Sequence, residues 1–327
     1  MRLLIVGTGP FAVPLLRDLV KSSHQVEGVV TKPVEDGGRR KQPANPVREV
    51  ARELGLPCFE PPNINAADFL VELRKLQVDL MIVCDYGQIL SAECLACAPL
   101  GAINLHGSLL PKYRGAAPIQ RAIHAGETHT GVSVIHLTPR LDAGPVLSSA
   151  TTPIGPEETA AELEPRLAEL GVSAVREALL RIAAWDRKSP VGVLQDARAA
   201  TRAPRISKHE GELDWQKSAV ELHRQIRAFQ PWPGSFTYWL RPGYEPQRLI
   251  VQRASVCTAA GSTTASPGTV IDVAPDRLVV ACGQGSLALG RIQPAGKRDM
   301  EIADFLRGNP VRLGDRFQSS EVINENR

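Results

Sequence analysis

The alternation of short apolar runs with helix-spaced segments through the first half of the chain is the strongest constraint on its fold. Residues 3–6 form a continuous apolar run that ends in Gly7-Thr8-Gly9. Residues 11–20 repeat apolar side chains at helical spacing, and residues 26–30 return to a strand pattern. Asn45 is a good N-cap with Pro46 in the first turn, so residues 46–54 are expected to be helical, as are residues 66–76. Residues 79–84 and 102–105 read as buried strands, and 130–137 and 145–154 as further strands. Residues 157–184 are a long helical stretch that Pro165 and Gly171 are expected to break. A β-α-β-α order of this kind builds an α/β fold: a Rossmann-like, mostly parallel sheet with helices on both faces.

The pattern then changes. Residues 218–228 are one amphipathic helix, followed by strands at 236–240, 248–257, 268–273, 277–281 and 286–292 with Gly and Pro turns between them. Such spacing predicts a smaller C-terminal antiparallel β-barrel, OB-like in type. Asp299 is expected to cap a last helix over 301–307, ended by Gly308. At 327 residues, two domains are expected. Their bounds are 1–188 and 206–327, joined by a basic linker over 189–205 that contains Arg198, Arg202 and Arg205 against Asp196 alone.

Composition excludes several classes. With 43% hydrophobic residues the chain can bury a core, and no apolar run is long enough for a membrane span. The N-terminus runs directly into a strand without a signal-like segment, so a cytoplasmic location and no membrane partner are expected. The net charge of +3 falls entirely in the stretch from Arg205 onward and is too weak alone to argue for nucleic acid. Of six cysteines only Cys94 and Cys97 form a C-x-x-C, with no second pair or suitably spaced histidines. Reduced thiols are expected, and no metal.

Gly7-Thr8-Gly9-Pro10-Phe11-Ala12 has the context of a dinucleotide fingerprint. However, Pro10 removes a backbone N–H from the turn, and the second strand ends Val29-Val30-Thr31-Lys32 with no acid for a ribose. A tight turn feeding a helix is the better reading, so no NAD is expected.

The chemistry concentrates after residues 102–105. Asn104 and His106 are two apart at the carboxyl end of a strand, so an amide and an imidazole leave the same side. Gly107, Pro111, Gly115 and Pro118 fix a non-helical loop there. Asp142, after another strand, is expected to hydrogen-bond the imidazole. An Asn, a His and an Asp without a positioned Ser or Cys suggest attack by a substrate nucleophile on a carbonyl, with the amide holding the oxyanion. A purely structural role for His106 is the alternative. The other histidines, His223 among them, have no comparable partners in the sequence.

The run NLHGSLLPKYRGAAPIQRAI at 104–123, with LDAG at 141–144, resembles the 10-formyltetrahydrofolate-dependent formyltransferases. GGRRK at 37–41, DYGQIL at 85–90, RAFQPWPGS at 227–235 and QPAGK at 293–297 are similar to the branch acting on methionyl-initiator tRNA. The likeness covers nearly the whole chain in order. It implies a catalytic domain over 1–188 and a tRNA-binding barrel over 206–327. It also implies a monomer using 10-formyltetrahydrofolate as cosubstrate, whose formyl group passes to the α-amine of methionyl-initiator tRNA for translation initiation. Asn104, His106 and Asp142 match the catalytic residues, and Ser108, Leu109, Leu110, Pro111 and Tyr86 the folate-binding ones. Arg39, Arg40 and Lys41, with Arg205 and Lys208, are the implied tRNA-binding residues. The alternative acceptor is a nucleotide-sugar amine, whose formyltransferases share the loop but continue differently from AAPIQRA at 116–122.

Overall fold

Two sheets organise the chain in the computed structural model, which describes residues 1–33, 45–241, 243–257 and 265–320. The first is built from β1 (Arg2–Gly7), α1 (Val13–Val20), β2 (Gln25–Val30), α2 (Pro46–Glu53), β3 (Cys58–Phe59), α3 (Ala67–Lys75), β4 (Leu80–Cys84), α4 (Ala92–Leu95), β5 (Ala102–His106), α5 (Pro118–Ala125), β6 (His129–His136), β7 (Val146–Pro153) and α6 (Ala160–Ala183). Its strand order is β3-β2-β1-β4-β5-β6-β7. The strands from β3 to β5 are parallel, and β6 and β7 run antiparallel to their neighbours.

Burial on both faces explains the unbroken apolar runs of β1 and β4. On one face Leu70, Leu73 and Cys94 from α3 and α4 pack against Leu4, Val6, Met81 and Ala102. On the other, α6 approaches β5 so closely that a Cβ on Gly171 would lie 2.6 Å from Leu105 Cδ2. The break expected at Pro165 and Gly171 is absent: α6 is one helix through both. Pro165 and Ala161, whose carbonyl loses its helical partner, are both exposed, which leaves that carbonyl open to water. Gly171 is there for contact with Leu105 rather than to end a helix. At α2 the expected cap is present, with Asn45 accepting from the Arg48 N–H at 3.0 Å.

Residues 189–205, expected as a linker, lie along this same unit. Val193 and Val146 exchange backbone hydrogen bonds of 2.8 Å, and the Ala203 N–H donates to the Arg114 carbonyl at 2.6 Å.

The second sheet follows α7 (Ala219–Ala228) and comprises β8 (Ser235–Leu240), β9 (Gln247–Cys257), β10 (Val270–Ala274), β11 (Arg277–Ala281), β12 (Ser286–Pro294), β13 (Met300–Glu301) and, after α8 (Ile302–Gly308), β14 (Arg316–Gln318). The order β10-β11-β12-β9-β8-β14 is antiparallel throughout, and a Thr269–Arg316 bridge joins its two ends into a barrel. Trp239, Phe305, Phe317, Leu222 and Ile226 fill the interior. Ser218 caps α7 through a reciprocal pair with Glu221. Asp299 does not cap α8. Residues 300 and 301 pair with β12, and Asp299 instead accepts from Arg291 Nε at 2.7 Å.

By contacts the chain forms two units. One is Met1–Ile119, His129–Ile154 and Glu162–Arg205; the other is Gln120–Thr128, Gly155–Ala161 and Ile206–Arg327. Within the second, His223 Nε2 lies 3.0 Å from Glu157 Oε2, a partner invisible to a local reading because it is 66 residues away. No helix among the described residues is long and apolar enough to cross a membrane.

Candidate active site

β5 carries the expected pair to the carboxyl edge of the sheet. Asn104 is half-buried, and its side-chain amide makes no hydrogen bond among the described residues. His106, 6% exposed, is engaged at both ring nitrogens. Nε2 lies 2.9 Å from the Tyr113 carbonyl, and Nδ1 lies 3.8 Å from Asp142 Oδ2. At 3.8 Å the expected hydrogen bond between the imidazole and Asp142 is not made, and the two groups stand at salt-bridge distance instead. The cause is local: Asp142 Oδ2 already accepts the Gly115 N–H at 2.8 Å, which draws the carboxylate toward the loop.

That loop is held by its own polar groups and by Ser133 on β6. Ser108 Oγ donates to the Lys112 carbonyl at 2.7 Å, Ser133 Oγ donates to the Ser108 carbonyl, and the Leu110 N–H donates to Ser133 Oγ. Tyr113 (φ 61°) and Asp142 (φ 48°) are both left-handed, a conformation that costs a non-glycine residue about 1–3 kcal/mol and must be enforced by surroundings. Neighbouring groups supply that enforcement. The Tyr113 N–H donates to Thr201 Oγ1 at 2.8 Å, and the Arg114 N–H to the Thr201 carbonyl at 2.9 Å. Gln195 Nε2 donates to the carbonyls of Asp142 and Gly144 at 2.8 and 2.7 Å, while Gln195 Oε1 accepts from Arg114.

A second polar group lies at the end of β4. Asp85 is left-handed (φ 51°), and its carboxylate covers Gly9 so closely that a Cβ there would be 1.7 Å from Oδ2. The residue as a whole is exposed, while its carboxyl turns in over Gly9. Burial of the carboxyl nevertheless raises its pKa to about 6, against the opposing charge of Lys32. Glu164 is raised by burial and by Asp85, and the Cys84 thiol is raised by burial and both acids. An anion over Gly9 stands where a dinucleotide pyrophosphate would approach the turn.

The remaining residues singled out from the sequence are spread more widely. Ser108 is fully buried, whereas Leu109, Leu110 and Pro111 are half-buried. Tyr86 is 2% exposed in the core beside Leu90 and Cys94, where burial pushes its phenol up to about 12. Arg205 and Lys208 are exposed and form no ion pair among the described residues. Arg39, Arg40 and Lys41 lie outside the described residues. Among the described residues no cluster of three His, Cys, Asp or Glu side chains could hold a metal. Gln195, Thr201 and Ser133 were missed: each acts through contacts distant in sequence, with no local pattern to mark it.

Comparison with known proteins agrees with this architecture. Residues 1–179 match the Formyl transferase family, and residues 205–310 match Formyl transferase, C-terminal domain. The chain is 43% identical to a methionyl-tRNA formyltransferase of Rhodopirellula baltica, over 97% of this chain and 96% of that one. Two solved structures share the fold at low identity. HypX from Aquifex aeolicus, in complex with tetrahydrofolic acid, has a TM-score of 0.62 at 18% identity, covering 94% of this chain and 47% of HypX. WlaRD, a sugar 3N-formyl transferase, has a TM-score of 0.63 at 17% identity, covering 91% of this chain and 99% of its own. With both family regions present in order and full-length identity far above that of the sugar enzyme, the chain belongs to the methionyl-tRNA formyltransferase family.

Proposed function

We propose that this chain, acting as a cytoplasmic monomer, transfers the formyl group of 10-formyltetrahydrofolate to the α-amine of methionyl-initiator tRNA, giving N-formylmethionyl-tRNA. The observation that carries the reading is an amide, an imidazole and a carboxylate gathered at one strand edge of a chain related to methionyl-tRNA formyltransferases over its length. The neutral amine attacks the formyl carbon and a tetrahedral oxyanion forms. Asn104, free of protein partners, donates to that oxygen, and the cationic form of His106 adds positive charge beside it. Asp142 balances the imidazolium and takes up the amine proton through water. As the intermediate collapses the C–N10 bond breaks, the proton taken up by Asp142 passes through water to N10, and tetrahydrofolate leaves. The 3.8 Å His106–Asp142 separation is compatible with catalysis, because such contacts tighten when substrate binds.

The loop 108–111 and the Tyr86 segment form the folate side of the site in this reading. For tRNA, the exposed Arg205 and Lys208 and the cations Arg39, Arg40 and Lys41 supply phosphate contacts. The barrel adds arginines stacked on aromatic rings: Arg248 lies 4.0 Å from the Phe236 ring, and Arg241 lies 4.3 and 4.5 Å from the rings of Trp239 and Tyr244. The test is formyl transfer from 10-formyltetrahydrofolate to charged initiator tRNA, run beside an amino-sugar nucleotide. Formylmethionine recovered from the tRNA is the expected product. Formylation of the sugar amine alone would overturn the reading.

A further inference from the structure

We propose that Gln195 is a positioning residue for the reaction, acting through Asp142, so that the stretch between the two family regions belongs to the catalytic machinery. The inference rests on the formyl-transfer reading for its kinetics but not for its geometry. Gln195 lies beyond residues 1–179 and before residues 205–310, the parts of the chain that match the family.

Its side chain uses all of its amide capacity on the active-site loops. Nε2 donates to the carbonyls of Asp142 and Gly144, and Oε1 accepts from Nε and a terminal nitrogen of Arg114. Asp142 has a left-handed backbone, which Asp tolerates better than most residues but which still needs its surroundings to hold it. The two donated hydrogen bonds fasten the backbone on either side of Ala143. The accepted pair ties that segment to Arg114, one residue from the Gly115 N–H that binds the Asp142 carboxylate. One amide therefore sets both the backbone from which the carboxylate projects and the donor that orients it. No other amino acid of similar length donates twice and accepts twice from a neutral planar group.

Gln195→Glu keeps the acceptor for Arg114 but turns oxygen toward two carbonyls. Gln195→Met keeps the volume and loses every hydrogen bond. In the full chain both variants are expected to lower kcat about 10- to 100-fold, the usual effect of displacing a reacting group by about an ångström. KM for folate and for charged tRNA should stay within about twofold, because neither substrate touches Gln195 in this reading. In an Asp142→Asn background the further loss should be less than about twofold, since the carboxylate being positioned is already gone. Independently of any substrate, the His106 ring resonances should move in Gln195→Glu toward their positions in Asp142→Asn. Multiplicative losses in the double variant, or His106 resonances unchanged from wild type, would overturn the proposal. A wild-type chain that formylates no charged tRNA would sink the functional reading alone, and the resonance comparison would still decide the role of Gln195.

Discussion

His106 Nδ1 faces Asp142 Oδ2 across 3.8 Å, with 7% and 8% of the two side chains exposed. At that burial water screens a charge on either side chain poorly from the other. Asp142→Asn preserves shape and the ability to accept from Gly115 while deleting the charge. Asp142→Asn and His106→Ala are each expected to slow the chemical step by orders of magnitude. Asn104→Ala should cost about 100- to 1,000-fold, the typical loss of one oxyanion donor. Single-turnover formyl transfer measures this. Near-wild-type rates in all three folded variants would remove the catalytic assignment.

Gly171→Ala tests the packing behind the site. A Cβ would lie 2.6 Å from Leu105 Cδ2, on the residue before His106. Alanine gains about 1 kcal/mol of helix propensity. Overpacking at a closed helix–strand contact costs about 1–3 kcal/mol. The clash should win, so denaturant unfolding should show net destabilisation, with kcat lowered as β5 shifts. A stabilised variant would mean that α6 can move away freely.

Much of this was legible in the sequence because it was local. Fully buried strands such as β4 read as apolar runs, the Asn45 cap sits directly before its helix, and Asn104 and His106 share a side through the two-residue strand period. What was illegible is non-local. Two-residue β3 and three-residue β14 exist only because neighbouring strands offer them partners. Pro165 and Gly171 look like helix breakers until the exposed carbonyl and the Leu105 contact are known. Asp142 could be chosen as the acid partner, but the pull of Gly115 on its carboxylate could not be foreseen. Gln195 lies 53 residues from the carbonyl it binds, in a stretch whose composition resembles a solvated connector.

Asp85 gives a pH dependence with a definite sign. Its carboxyl is raised from 3.8 to about 6, chiefly by burial, so the folded chain holds this proton more tightly than the unfolded chain does. The associated stabilisation is present below about pH 4 and is lost as pH rises through about 6. Asp85→Asn keeps the shape and cannot ionise. The stability of this variant relative to wild type should therefore increase between pH 4 and pH 7, as read from melting temperatures. A difference independent of pH would show that Lys32 fully compensates the charge.

Glu210 has the opposite sign. A hydrogen bond from Arg121 Nη1 at 2.7 Å, with further donors on Ser207, lowers its pKa from 4.5 to about 2 against the cost of burial. That stabilisation is present above about pH 4.5 and is lost as pH falls through about 2. Glu210→Gln should cost about 2 kcal/mol at neutral pH, the range of a charge-assisted hydrogen bond. The deficit should shrink progressively as the pH is lowered below 4.5. Equal deficits at pH 7 and pH 3 would show that packing, not charge, is what the glutamate provides.

Gly115 joins backbone conformation to catalysis in a single position. Its φ of 127° is one that a residue with a side chain rarely adopts, and a Cβ would stand 2.5 Å from the Ala203 carbonyl oxygen. That carbonyl cannot easily retreat: the Ala203 N–H donates to Arg114 at 2.6 Å, and the carbonyl accepts from the Ala117 N–H at 3.2 Å. Gly115→Ala must therefore move the loop instead, and with it the N–H that holds Asp142 Oδ2 at 2.8 Å. Backbone strain and overpacking each cost about 1–3 kcal/mol, so a loss of about 2 kcal/mol or more is expected in unfolding experiments. At a temperature where the variant remains folded, kcat should fall at least tenfold with little change in KM, because the carboxylate rather than a substrate contact is displaced. If Gly115→Ala instead melts like wild type and turns over at the same rate, the loop tolerates a side chain, and the Gly115–Asp142 hydrogen bond does not orient the acid.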